Sequence, residues 1–352
     1  MSTSTQTNTA LILGATGGFG SALIEALQRS DWQVRATYRN GKIPHASQQK
    51  RLGKSADNIE WIEADLAEPD SMNRAAAGVD VIVHAVNVPY DKWDPLMIRY
   101  TRTIIQMAKT HSAQLVFIGN IYNAGVPEGG VITADTPDAP INEKGQLRAR
   151  LESMLRDASE QGVKVTVLRF GDFFGPNIST NNWFNELTKG VPKGVLSTPS
   201  VAATKHTWAY LPDATAFSEK VMRQSLVETA GSMFKVVPFA GHVFSMQDVR
   251  TILEHETGRK LKLRSIPWPV LSVLGIVWPL MRDIVSMRYL WDHDIRLCNE
   301  SDKNMAGGVV KTALKDAVLT TLNSNGTLAS GGARKRKMAD HHRSNQKTAE
   351  AR

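Results

Sequence analysis

Residues 10–20 read ALILGATGGFG, and the rest of the chain is organised around them. Ala10 to Leu13 are four apolar residues, enough for a short strand buried on both faces. Gly14, Gly17 and Gly20 follow at GxxGxxG spacing, and Ser21–Leu27 (SALIEAL) carries the apolar period of a helix. In a strand–turn–helix of this kind each glycine has a physical job. Gly14 permits the tight turn, Gly17 lets backbone amides approach a diphosphate, and Gly20 lets the helix pack close to the strand. A diphosphate would then rest on the helix N-terminus, where unpaired N–H groups and the helix dipole favour negative charge. Thr16, Gly18 and Phe19 complete the candidate nucleotide-binding turn.

Outward from this turn, strands and helices alternate. Gln33–Tyr38, Asn58–Ala64, Val79–Ala85, Gln114–Gly119 and Val163–Arg169 read as strands. Between them Pro69–Ala77, Trp93–His111 and Glu143–Gln161 read as helices. The alternation predicts an α/β fold, a Rossmann-type doubly wound parallel sheet over residues 10–170. Beyond Arg169 the chain becomes loop-rich, then gives helices near Ala214–Leu226 and Ser245–Thr257 with a strand near Phe234–Pro238. Residues 171–322 are expected to complete the sheet and to form a smaller C-terminal substrate lobe. Within them Ile266 to Met281, IPWPVLSVLGIVWPLM, carries no charge. A membrane span needs about 20 apolar residues. This run is shorter and is broken by Pro267, Pro269 and Pro279. A buried helix of the C-terminal lobe is the expectation, with an interfacial membrane contact as the alternative.

The 352 residues are 42% hydrophobic and 22% charged, ordinary proportions for a globular protein with a large core. The single cysteine, Cys298, excludes an internal disulfide framework and suits a reducing, cytoplasmic setting. Residues 1–9 lack the basic region and apolar core of a signal peptide and read as a disordered lead-in. The net charge of +8 is unevenly placed, since residues 326–352 hold seven Lys/Arg against two acids. Residues 323–352 therefore read as a disordered basic tail. The folded part is too mildly basic to predict nucleic-acid binding. No His/Cys/Asp/Glu cluster has metal-ligand spacing, so no metal is expected.

Taken together, the chain resembles an extended or atypical short-chain dehydrogenase/reductase, of the NAD-dependent epimerase/dehydratase-like kind. The pieces that carry the resemblance are GATGGFG at 14–20, ADL at 64–66, VIVHAVN at 81–87, LRFGDFFGP at 168–176 and HTWAYLPD at 206–213. The resemblance implies a bound nicotinamide dinucleotide. It implies that Asp65, with Leu66, meets the adenine, and that Ala85, Val86 and Asn87 line the cofactor. LRFGDFFGP would frame the nicotinamide side. His84 and His206 read as satisfied structural histidines. An NAD enzyme carries an acid after the second strand, for the ribose 2′-hydroxyl. Here the strand ends in Tyr38-Arg39, with Lys42 nearby. A guanidinium at Arg39 suits a 2′-phosphate, so NADP(H) is favoured over NAD(H).

The resemblance breaks at the chemistry. The family's usual members carry a Ser or Thr after the fifth strand and a YxxxK on the next helix. Here Asn120 stands near the serine position. Lys144 and Arg148 fall at the Tyr and Lys positions when Glu152 takes the place of the glutamate that follows the lysine. No tyrosine lies between Asn123 and Ala209. Arg148 holds a ribose or phosphate but does not trade protons near neutral pH. The candidate catalytic residues are therefore Asn120, Tyr122, Lys144 and Arg148. A charged helix stripe of Lys144, Arg148 and Glu152 without a catalytic role is the competing reading. Three functions follow. The main one is an NADP(H)-dependent oxidoreductase acting on a carbonyl or alcohol. The others are a nucleotide-sugar epimerase/dehydratase and a non-catalytic NADP(H)-binding sensor or scaffold. A small-molecule substrate is expected, a homodimer is the assembly considered, and membrane contact is not expected.

Overall fold

The computed structural model describes residues 7–39, 41, 59–88, 93–178, 182–228, 231–298 and 309–328. Lys42, most of the lead-in and the tail beyond 328 lie outside the described residues. In chain order the strands are β1 (Thr9–Leu13), β2 (Gln33–Tyr38), β3 (Ile59–Glu63), β4 (Val81–His84), β5 (Gln114–Gly119), β6 (Val131–Ile132) and β7 (Val165–Arg169). They continue with β8 (Asp172–Phe174), β9 (Val195–Thr198), β10 (His206–Tyr210), β11 (Phe234–Pro238), β12 (His242–Phe244), β13 (Lys262–Ser265) and β14 (Arg296–Leu297). The helices are α1 (Gly18–Gln28), α2 (Pro69–Ala76), α3 (Trp93–His111), α4 (Glu143–Glu160) and α5 (Trp183–Thr188). After them come α6 (Leu211–Val227), α7 (Met246–Thr257), α8 (Trp268–Val277), α9 (Pro279–Ser286) and α10 (Leu314–Ser324).

Seven strands form one parallel sheet in the order β11-β7-β5-β4-β1-β2-β3. The winding reverses between β1 and β4, as the doubly wound reading requires. Side chains of β1 alternate between two cores, because successive residues of a strand point to opposite faces. Ala10 and Ile12 join Leu23 and Leu27 of α1 and Phe217 of α6. Leu11 and Leu13 join Met97 and Ile104 of α3 and Leu151 and Leu155 of α4. β11, from the C-terminal half, completes the edge beside β7. The remaining strands make small sheets, β12-β10-β8, β13-β9 and β14-β6. Their core is aromatic: Trp208 stacks on Phe244 with ring centres 5.2 Å apart, and Phe174 and Phe184 meet at 5.1 Å.

The expectation of a buried helix at 266–281 is overturned. The run forms two short helices, and α8 buries only Trp268 and Gly275. Ile276 is 82% exposed and Val277 81%. Pro279 lacks the N–H that would continue α8, so the chain turns at Trp278. α9 then folds back closely; a Cβ on Gly275 would lie 3.1 Å from the Arg282 backbone. The core beneath is already filled by Trp268, Met287, Leu290 and Trp291, which leaves the apolar middle of the hairpin outside. Among the described residues no helix is long and apolar enough to cross a membrane.

Candidate functional site

Loops leaving the carboxyl ends of β1, β2, β4, β5 and β7 converge on one cleft of about 490 Å³. It opens at the reversal between β1 and β4, the place where open α/β sheets bind ligands. The glycine turn forms its floor. Gly14 has φ +85°, and a Cβ there would lie 2.5 Å from the Ala85 carbonyl oxygen. A Cβ on Gly20 would lie 2.3 Å from the Gly14 carbonyl oxygen. Both glycines are therefore required by close backbone approach. Gly17 caps α1 and donates its N–H to Gly14 O at 3.0 Å. No side chain caps α1 and no acid stands in its first turn, so its amides face the cleft without a competing carboxylate. Thr16, Gly17, Gly18, Phe19, Gly20, Arg39, Leu66, Ala85, Val86 and Asn87 all line the cleft. Asp65 stands beside it, its Oδ1 accepting the Ala67 N–H at 2.8 Å. This donor set fits a dinucleotide: a cradle that a Cβ would fill, amides for a diphosphate, and a cation at the mouth.

The other end of the cleft has aromatic walls. Asn120 and Tyr122 reach it from the turn after β5, and Arg148 from α4. Asn120 Oδ1 accepts the Tyr122 N–H at 3.1 Å and fixes that turn. The Tyr122 ring stacks on Trp93 at 6.4 Å. α4 docks underneath, started by Asn142, whose Oδ1 accepts the Gly145 N–H at 2.9 Å. A Cβ on Gly145 would lie 2.5 Å from the Tyr122 carbonyl oxygen, so only glycine lets the helix meet the turn. The Arg148 guanidinium lies 4.8 Å from the centre of the Trp93 ring and 5.6 Å from that of Phe117. Lys144 is placed differently. It is absent from the lining, and its Nζ lies 3.1 Å from the Asp283 carboxylate of α9.

Lining residues that the sequence does not single out include Trp93, Asp172, Asn182 and Trp183. Asp172 is the only carboxylate that lines the cleft among the described residues. Its Oδ2 lies 2.7 Å from His206 Nε2 on β10, and the His206 ring packs on Trp291 at 4.1 Å. The available signal is the acid in LRFGDFFGP, three residues past the end of β7. Trp93, Asn182 and Trp183 come from separated segments whose spacing carries no signal.

His84 lies on β4 with Nε2 3.0 Å from Thr101 Oγ1. Burial, with the Arg148 charge adding, pushes its pKa from 6.5 down to about 3. Unfolded chains therefore take up a proton below pH 6.5 that the fold refuses. The stability is fully present above that pH and falls by about 1.4 kcal/mol per unit toward pH 3. Between pH 6.5 and 5 the protein is expected to lose about 2 kcal/mol more than His84→Gln does in urea unfolding. Equal acid slopes for the two proteins would sink this assignment.

A parallel α/β sheet wound in this order, with a glycine turn opening on a cleft at its reversal, is the doubly wound architecture of dinucleotide-binding proteins. The chain belongs to the NmrA-like family, which it matches over residues 6–298. A putative UDP-arabinose 4-epimerase 4 of Arabidopsis thaliana is 25% identical over 179 residues, 47% of this chain and 41% of that one. The chain thus matches less than half the length of this curated relative. Among solved structures, a putative epimerase from Burkholderia cenocepacia superposes with TM-score 0.72 at 15% identity, covering 91% of this chain and 98% of that one. UDP-glucuronic acid 4-epimerase from Bacillus cereus, in complex with UDP-glucuronic acid and NAD, gives 0.70 at 16% identity over 90% and 98%. A dTDP-glucose 4,6-dehydratase from Bacillus anthracis, in complex with NAD, gives 0.71 at 14% over 91% and 97%.

Proposed function

We propose that the protein is a nicotinamide-dependent enzyme of the nucleotide-sugar epimerase/dehydratase type. The observation that carries this reading is the two-ended cleft: a glycine cradle at one end, and Tyr122, Arg148 and Asp172 among aromatic rings at the other. The sugar nucleotides and NAD named for its relatives support it. The amides of Gly14–Gly20 hold the diphosphate, Leu66 and Asp65 flank the adenine, and Ala85 to Asn87 follow the cofactor toward the substrate. Arg148 holds the ribose. When bound, the nicotinamide supplies reversible two-electron oxidation of a carbinol carbon. The chain's own task is the proton on the substrate oxygen. With no tyrosine on α4, Tyr122 carries it, with Asn120 fixing the Tyr122 turn and Lys144 tied to Asp283 as the lesser candidate.

The test incubates the full chain with UDP-glucose, UDP-glucuronic acid and UDP-arabinose plus NAD or NADP. The expected result is an epimer or a keto-sugar by NMR, without net change in nicotinamide absorbance. A stoichiometric absorbance change on simple carbonyls would favour an oxidoreductase instead. Cofactor binding with turnover on neither panel would favour a sensor, the reading that the absence of a tyrosine on α4 supports.

Arg39 is this chain's own argument about the nucleotide. It lines the cleft mouth just past β2, where a 2′-phosphate needs a cation. Arg39→Asp is expected to weaken NADPH binding by about 1.5–3 kcal/mol, and NADH binding much less. Equal affinity of the unaltered protein for NADH and NADPH by fluorescence titration would overturn the preference.

A further inference from the structure

The α8–α9 hairpin presents a surface that the cleft does not use. Pro269, Val270, Ser272, Val273, Leu274, Ile276 and Val277 are all exposed. At about 100° per residue they cover more than half of the α8 circumference. A partner helix or groove covers a stripe roughly 100° wide. The exposed arc is wider than that, and it ends at an apex, Ile276-Val277-Trp278, where three successive large apolar residues are exposed. A fluid apolar medium covers such an apex; a single docked face does not.

Charge points the same way. From Thr257 to Arg282 the chain has no acid and five cations. Lys260 faces Glu254, but Lys262 and Arg264 are exposed on β13, which runs directly into α8, and Arg282 is exposed on α9. The base of the hairpin is anchored. Trp268 Nε1 donates to Pro199 O at 2.5 Å, Asn142 Nδ2 donates to Ser286 O at 2.8 Å, and Lys144 pairs with Asp283. α8 has 10 residues and is about 15 Å long, half the roughly 30 Å of a hydrocarbon core. It can enter one leaflet and cannot cross.

We propose that the α8–α9 hairpin docks the protein on an anionic lipid surface, with Ile276 and Val277 entering the acyl boundary and Lys262, Arg264 and Arg282 meeting the headgroups. Trp278 then sits at headgroup level, where amphipathic aromatic rings concentrate. This holds whatever reaction the cleft performs.

The test is co-sedimentation of the full chain with phosphatidylcholine vesicles and with an equimolar phosphatidylcholine–phosphatidylglycerol mixture. Binding is expected to the mixed vesicles and to weaken in high salt. The pair Ile276→Glu and Val277→Glu should lower it by about tenfold or more, because burying two carboxylates replaces burying two aliphatic side chains. Its melting temperature should not change, since both positions are exposed. Lys262→Gln and Arg264→Gln should each cost about fivefold. Three results would overturn the proposal. One is no binding to the mixed vesicles. Another is unchanged binding by the Ile276/Val277 variant, which would move the contact to the basic tail. The third is a vesicle-free dimer that this variant turns into a monomer, which would make a second copy the occupant.

Discussion

Glu152→Ala is expected to lower folding stability by about 3–5 kcal/mol, and Arg169→Ala by a similar amount. Glu152 Oε2 lies 2.5 Å from Arg169 Nη2, and both side chains are buried between α4 and the end of β7. Burial pushes the Glu152 carboxyl up, and the Arg169 charge opposes that push. A guanidinium stays charged at any pH the fold survives. Removing Glu152 therefore strands a buried cation, with Arg148 one turn away on the same helix adding to the repulsion. Removing Arg169 strands the carboxylate or forces it to take up a proton. The double replacement Glu152→Leu with Arg169→Met should recover most of the loss, because an apolar pair needs no partner. Chemical denaturation of the three variants decides it. Losses below about 1 kcal/mol in both single variants would show that the pair is hydrated in solution.

This pair also shows how far the sequence could be read. Lys144, Arg148 and Glu152 recur every four residues, which is equally the pattern of a solvated stripe and of a buried network. The structure buries Arg148 and Glu152 and half-buries Lys144, because each has a partner far along the chain. Arg169 follows Glu152 by 17 residues, and Asp283 follows Lys144 by 139. Local spacing carries no trace of either. By contrast β2, β5, β11 and α3 fall where the apolar pattern puts them, residue for residue. Their signal is local, a run of apolar residues bounded by turn chemistry. The glycine turn was legible for the same reason, since its clashes involve a few neighbouring residues and one strand end. Hydropathy misled at 266–281. It reports that a segment is apolar, and it cannot report whether the core has room for that segment.

Tyr122→Phe is expected to lower turnover by about 10²–10⁴, the usual worth of a positioned general acid or base. The argument rests on how firmly the ring is held. Tyr122 follows β5 at the ligand edge of the sheet and lines the cleft. Its backbone N–H is bound by Asn120, its carbonyl lies against Gly145, and its ring stacks on Trp93. Phenylalanine keeps the ring, the stacking and the turn, and loses only the hydroxyl. Nicotinamide affinity and melting temperature should therefore hardly move while turnover falls. Arg148→Ala should do the opposite. It should weaken cofactor binding, because the guanidinium over Trp93 is the cation that this end of the cleft offers a ribose. Lys144→Ala should cost little turnover, since its charge is spent on Asp283. The two variants at the cleft thus separate proton transfer from binding, and the third tests the ion pair. Full turnover in Tyr122→Phe, Asn120→Ala and Lys144→Ala alike, on a substrate that the unaltered protein converts, would put the chemistry elsewhere. Asp172, the cleft's carboxylate, would then be the next residue to replace.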